Sequence, residues 1–194
     1  MKKIFTLLTL LTVTLVSAQK FHKPVPGGIV SVTDNKSYYV VELEGKDSLQ
    51  IYNALEMMVE KTFTGTEDKI IEKIPGKYIK AEGVIKNMVC GYYDIKFETE
   101  FKIKNGRYIF QYNKFNIERV DQGKRYTILL ASGRNILNGQ DGVSYAFNNK
   151  GKVIMKMSCY KSIISFLDQA GGFFDISDEF EKYQKLKKSE DDGW

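Results

Sequence analysis

FETEFKIKNGRYIFQYNKFNI, residues 97–117, alternates aromatic or aliphatic residues with charged ones on both sides of an Asn-Gly pair. A period of two interrupted by Asn-Gly specifies a β-hairpin with a two-residue loop. With Asn105-Gly106 as that loop, Lys104 faces Arg107, Ile103 faces Tyr108, Phe101 faces Phe110 and Thr99 faces Tyr112. Extending the register places Tyr93, Ile95, Phe97, Phe101 and Ile103 on one side with Tyr108, Phe110 and Tyr112, while Asp94, Lys96, Glu98, Glu100, Lys102 and Lys104 point the other way. The rings are then more simply a core than a platform for a ligand. Beyond Tyr112 the phase slips, because Phe115 and Ile117 are odd-numbered. A one-residue bulge near Asn113 and Lys114 returns them to the apolar face, opposite Phe97 and Ile95.

Upstream, SYYVVEL (37–43) is rich in β-branched and aromatic residues and reads as a strand. Asp47 then caps a helix with Gln50 as its capping-box partner. Leu49, Tyr52, Leu55, Val59 and Phe63 recur at helical spacing, and Asn53, Glu56 and Glu60 form the wet side. KIIEKI, a turn at Pro75-Gly76, and KYIKAEGVIK bring back strands. Past Val120, YTILLAS reads as a strand, RNILNGQDG as a loop, and VSYAFNNKGKVIMKMS as a hairpin turning at 149–151. A short helix over 162–170 is expected to stop at Gly171-Gly172. A last helix over 178–188 takes Ser177 as its cap, and SEDDGW is expected to fray. The order of elements predicts an α+β fold, an antiparallel β-meander with helices packed on one face.

The N-terminus, MKKIFTLLTLLTVTLVSAQK, sets two lysines before an apolar run and small residues ending at Ala18. This is the pattern of a signal peptide over 1–18, too short in its apolar part to span a bilayer, and it predicts export to the periplasm or cell surface after cleavage near Ala18. No transmembrane segment is expected after its removal. Residues 19–36 contain KPVPGG without a sustained period and read as a flexible leader. The formal charge of +5 falls to +3 when Lys2 and Lys3 leave with the signal. Acids and bases are interspersed along what remains, which argues against nucleic acid as a partner.

DSLQIYNALEMMVEKTF, GKYIKAEGVI and YYDIKFETEFKIKNGRYIFQYNKFNI together resemble a domain family of unknown function found in exported proteins of Gram-negative bacteria and described as TBP-like. The resemblance covers about residues 37–119 and implies a TBP-like α+β domain there, with 120–194 as a C-terminal extension of strands and two helices packing on the same domain. Residues 120–160 run longer than the family's core pattern requires. The family's patterns include no catalytic motif, so the resemblance assigns no residue a role.

Candidates for chemistry are few. His22 is the chain's one histidine and lies in the leader, which removes the usual base of a Ser-His or Cys-His pair and the usual zinc ligand from the domain. Glu98 and Glu100 share a strand face and are the candidate pair for a carboxylate-based hydrolase, set against a solvated, charge-alternating face that Lys96 and Lys102 neutralise. Asp175, Asp178, Glu179 and Glu181 lack the spacing of a calcium loop, and no metal or other cofactor is expected. Cys90 and Cys159 either pair, closing a loop worth about 4 kcal/mol, or sit as two buried thiols. The function expected is a non-enzymatic binding or interaction module for an unidentified protein or small molecule, using a groove between the sheet and its C-terminal additions. The alternatives are the hydrolase and a purely structural accessory domain.

Overall fold

The computed structural model describes residues 21–63, 69–133, 136–137 and 141–191. The signal-peptide expectation and the last three residues of SEDDGW lie outside them. Ten strands and three helices are described: β1 His22–Val25, β2 Gly28–Ser31, β3 Tyr38–Glu42, α1 Ser48–Thr62, β4 Lys69–Ile74, β5 Tyr78–Val89, β6 Tyr93–Lys104, β7 Arg107–Asp121, β8 Lys124–Ser132, β9 Ile136–Leu137, β10 Asp141–Phe147, α2 Met157–Phe174 and α3 Phe180–Asp191. One large sheet runs β4-β5-β6-β7-β8-β10-β9, with β3 also on β7. Its pairings are antiparallel except that β10 lies parallel to β8. The architecture is α+β, with the three helices on one side.

The β6–β7 hairpin adopts the register read from its alternation: Lys104 opposite Arg107, Ile103 opposite Tyr108, Phe101 opposite Phe110, Thr99 opposite Tyr112. The ladder shifts between Glu98 and Thr99, whose partners are Lys114 and Tyr112, so Asn113 is the extra residue. Phe115 then faces Phe97 and Ile117 faces Ile95. Without the bulge two large apolar side chains would be aimed at water. The helices finish covering this face. Phe166 and Phe174 of α2 meet the sheet's rings, with centroids 5.2 Å apart for Phe97–Phe166, 5.3 Å for Phe101–Phe174 and 5.7 Å for Phe110–Phe174. The buried Tyr108 hydroxyl donates to the Phe174 carbonyl and accepts the Ile176 N–H at 3.0 Å, tying the end of α2 to the hairpin. The rings are core.

Helix α1 begins with the expected capping box: the Asp47 carboxylate accepts the Gln50 N–H at 2.8 Å, and the Gln50 side-chain oxygen accepts the Asp47 N–H at 3.1 Å. Asn105 of the hairpin loop accepts the Ser48 N–H at 2.8 Å, so the turn also anchors the helix start. The buried stripe is Ile51, Tyr52, Ala54, Leu55, Met58 and Val59. Leu49, expected in that stripe, is 53% exposed, because its turn of helix lies over the Pro75-Gly76 turn and outside the core. Glu56, expected on the wet side, is buried because α3 and β4 cross over it. It accepts from Tyr52 at 3.0 Å and Lys73 at 2.8 Å, with Lys187 at 3.5 Å.

Four further expectations are corrected. Residues 22–31 form a β-hairpin where a flexible leader was expected; Phe21, His22 and Ser31 are buried, because docking onto α2 and β3 supplies the order that the local sequence lacks. Helix α2 starts earlier than 162 and runs through Gly171-Gly172. A Cβ at Gly171 would lie 2.6 Å from Phe21 Cβ, so glycine there makes room for the hairpin and does not end the helix. Helix α3 starts at Phe180, because Asp175 accepts both the Ser177 N–H at 3.1 Å and its hydroxyl at 2.6 Å, using Ser177 in a preceding turn. It continues to Asp191, so the first residues of SEDDGW are helical. The turn at 149–151 forms, but its second arm makes one bridge, Phe147 to Val153; β10 takes its ladder from β8 instead.

Candidate functional site

Polar chemistry gathers on one face of the sheet, and an open apolar cleft lies on the other. On the helix-free face, β5, β6 and β7 lay Lys80, Glu98 and Lys114 across the sheet. Glu98 accepts from Lys80 at 2.9 Å and Lys114 at 3.1 Å, one lysine on each carboxylate oxygen. Glu100 receives Asn113 at 3.1 Å, Lys102 at 3.2 Å, and also Gln111 and Tyr78. The face is therefore not solvated at these residues: Glu98 is 4% exposed and Glu100 8%. Lys96, expected beside Glu98, goes to Glu118 at 2.6 Å. The bulge explains the exchange, because it turns Lys114 onto Glu98 and leaves Asn113 beside Glu100.

Burial pushes the Glu98 carboxyl up, and hydrogen bonds from Lys80 and Lys114 outweigh it and hold it below the usual carboxylate range. Burial likewise raises Glu100, and Asn113, Tyr78 and Lys102 bring it below that range. Both carboxylates are thus held ionised. A general acid at neutral pH needs the opposite displacement.

On the helix-covered side, a cleft of about 410 Å³ opens between the end of α1, the second half of α2 and the sheet. Phe63, Phe97, Phe166 and Phe174 form its walls, with Phe173 and Ile85 at the mouth. Phe63 caps α1 with its N–H on the Val59 carbonyl at 2.8 Å, and its ring then drops beside Phe174 (6.1 Å between centroids, 10° between planes) and Phe97 (5.9 Å). Phe173 is 60% exposed, an unusual exposure for a ring beside a core. Polar groups lie only on the rim: Lys61, Thr62 and Gln169.

No family model matches the chain, and no curated protein matches it. Among solved structures it is similar to a DUF4468 family protein from Bacteroides ovatus ATCC 8483, at 17% identity and a TM-score of 0.54, over 74% of this chain and 84% of that one. It is also similar to a TBP-like protein from Parabacteroides distasonis ATCC 8503, at 15% identity and a TM-score of 0.52, over 74% of this chain and 90% of that one. The fold is TBP-like. At such identities the likeness carries the fold alone, and the roles of residues rest on this chain's own geometry.

The open face of this TBP-like sheet carries Lys80, Lys96, Lys102 and Lys114 set against Glu98, Glu100 and Glu118 in ion pairs. Cys90, in the β5–β6 turn, and Cys159, in the first turn of α2, are joined in a disulfide with Cα atoms 4.7 Å apart. Of the acids weighed for calcium, Glu179 pairs with Lys182 at 3.0 Å and Glu181 with Lys46 at 2.6 Å, while Asp175 holds the turn at Ser177. Among the described residues no group of three His, Cys, Asp or Glu is placed to hold a metal ion. No described helix is long and apolar enough to cross a membrane.

Sequence reasoning expected a groove between the sheet and its C-terminal additions but not the rings that line it, and it missed the burial of His22. The cleft is lined from four separated elements, α1, β5, β6 and α2, and its one local sign was Phe173-Phe174 following a glycine pair read as a stop. His22 was dismissed with the leader that turns out to be a buried strand.

Proposed function

We propose that the chain is an exported, non-enzymatic binding module whose phenylalanine-lined cleft takes a small apolar group, an aromatic ring or short acyl chain. The observation that carries this reading is the exposed Phe173 at the mouth of a cleft walled by four further rings, with polar atoms confined to its rim. Small-molecule sites have this build and this size. The ion-paired, ionised Glu98 and Glu100 supply no proton donor, which speaks against the carboxylate hydrolase. Export is supported by the pattern of residues 1–18 and by a disulfide that suits an oxidising compartment.

One experiment tests the reading. The chain is expressed with its N-terminal segment, recovered from the cell envelope, and weighed to establish that it begins at Gln19. It is then titrated with the neutral fluorescent probe N-phenyl-1-naphthylamine. Saturable binding is expected, weakened about tenfold in Phe173→Ser, the loss of roughly one buried ring contact. Phe173 is exposed, so the thermal midpoint should stay put. A chain retaining residues 1–18 overturns export; absent saturable binding, or equal affinity in Phe173→Ser, overturns the cleft and leaves a purely structural accessory domain.

A further inference from the structure

His22 is fully buried, and neither Nδ1 nor Nε2 has a hydrogen-bond partner among the described residues. Its ring lies among Phe110 at 5.2 Å, Tyr112 at 5.3 Å and Tyr39 at 6.0 Å. A neutral imidazole tolerates such a site. An imidazolium, with two donors and no acceptor, does not, and tilted or edge-on rings return less to a buried cation than desolvation removes.

Among the described residues no acid hydrogen-bonds to the ring. The titratable groups around it are the Tyr39 hydroxyl from β3, the Tyr112 hydroxyl from β7, which is itself buried without a partner, and two aspartates near α2: Asp168, whose charge acts on Tyr112, and Asp175, whose charge acts on Tyr39. Lys23, its strand neighbour, points to the other side of β1. Burial alone sets the histidine's behaviour, moving its pKa from 6.5 to about 4.

The hairpin that carries His22 is joined to the rest of the fold by side-chain packing and few backbone hydrogen bonds. Strands β1 and β2 form their own two-stranded sheet and share no ladder with the large one. Among the described residues their ties elsewhere include the Gly27 N–H on the Leu130 carbonyl at 2.8 Å, a long contact of Tyr160 with the Pro24 carbonyl at 3.5 Å, Phe21 edge-on to Tyr39 at 5.2 Å and packed against Gly171, and the rings around His22. The disulfide lies outside the hairpin.

We propose that His22 makes the N-terminal hairpin an acid-released latch: protonation expels the imidazole from its aromatic site, and β1–β2 lifts from β3, β7 and α2 while the large sheet stays folded. None of the residues lining the phenylalanine cleft belongs to the hairpin, so the latch stands whether or not the cleft binds a ligand.

Because the chain has one histidine, its titration is read without assignment ambiguity. In the processed chain the His22 ring protons, followed by NMR, should titrate near pH 4 when folded and near 6.5 in urea. Amide exchange across 22–31, corrected for intrinsic rate, should show the open population rising about a hundredfold between pH 7 and pH 4, with β6 unchanged over the upper part of that range. His22→Phe should abolish the rise. Titration near 6.5 in the folded chain overturns the latch, as does an equal rise in His22→Phe; if that variant does not fold, the NMR midpoint of the unaltered chain decides.

Discussion

Gly171 shows how one residue type carries opposite meanings. In a sequence, two adjacent glycines after an apolar helical run signal a helix end, because glycine reaches left-handed conformations and costs a helix about 1 kcal/mol against alanine. In the structure Gly171 stays helical, and its missing Cβ is the notch that receives Phe21. Phe21 cannot yield easily, since the atoms approached are its Cβ, Cγ and Cδ2 and not a mobile tip. Gly171→Ala should therefore destabilise the fold by about 1–2 kcal/mol, the overpacking cost exceeding the gain in helix propensity. Urea unfolding measures it. Combining the change with Phe21→Ala should recover most of the loss, and additivity of the two effects would show that the notch is not their meeting point. The notch was illegible beforehand because nothing near residue 171 in the chain announces a partner 150 positions away.

At the scale of elements, what was legible is what repeats locally. The β6–β7 register, the bulge at Asn113 and the capping box of α1 each follow from a period or spacing within about twenty residues, and the structure shows each as read. Glu98 and Glu100 were read as a pair on one face, which they are. Their burial was not legible, since Lys80 and Lys114 arrive from two other strands. The β1–β2 hairpin was missed for the same reason: its order comes from docking. The disulfide is another long-range tie, fastening the β5–β6 turn to the start of α2 across 69 positions of sequence. Closing a loop of that length restricts the unfolded chain by about 4 kcal/mol on chain-entropy grounds, and removing native bridges costs roughly 2–5 kcal/mol. Cys90→Ala/Cys159→Ala should lose stability in that range, with a lowered denaturant midpoint. Because Cys159 lies in the first turn of α2, exchange protection should fall first there and in the adjoining turn, and a uniform loss would contradict this placement.

For the molecule as a whole, the buried ionisable groups divide acid sensitivity between two bodies. His22 has its pKa lowered from 6.5 to about 4, so its neutral form contributes stability that is complete above 6.5 and lost as the pH falls through that interval. Glu56, Glu98 and Glu100 have carboxyls held below the usual 4.5; their contribution is complete above 4.5 and disappears only as the pH falls toward those lower values. The histidine sits in the separate hairpin, whereas the glutamates bind α1, β4 and α3 to one another and β5 to β6 and β7. Acid should therefore act in sequence, loosening the hairpin first and the sheet afterwards. As the pH approaches 4 the near-ultraviolet dichroism of the tyrosines around His22 should change while the far-ultraviolet sheet signal holds, and at lower pH both should fall together. Glu98→Gln, which leaves Lys80 and Lys114 without their shared carboxylate, should cost about 1–2 kcal/mol at pH 7, discounted for the exposure of Lys114, and should leave the first stage untouched. A single cooperative acid transition in the unaltered chain would mean that the hairpin and the sheet unfold as one body.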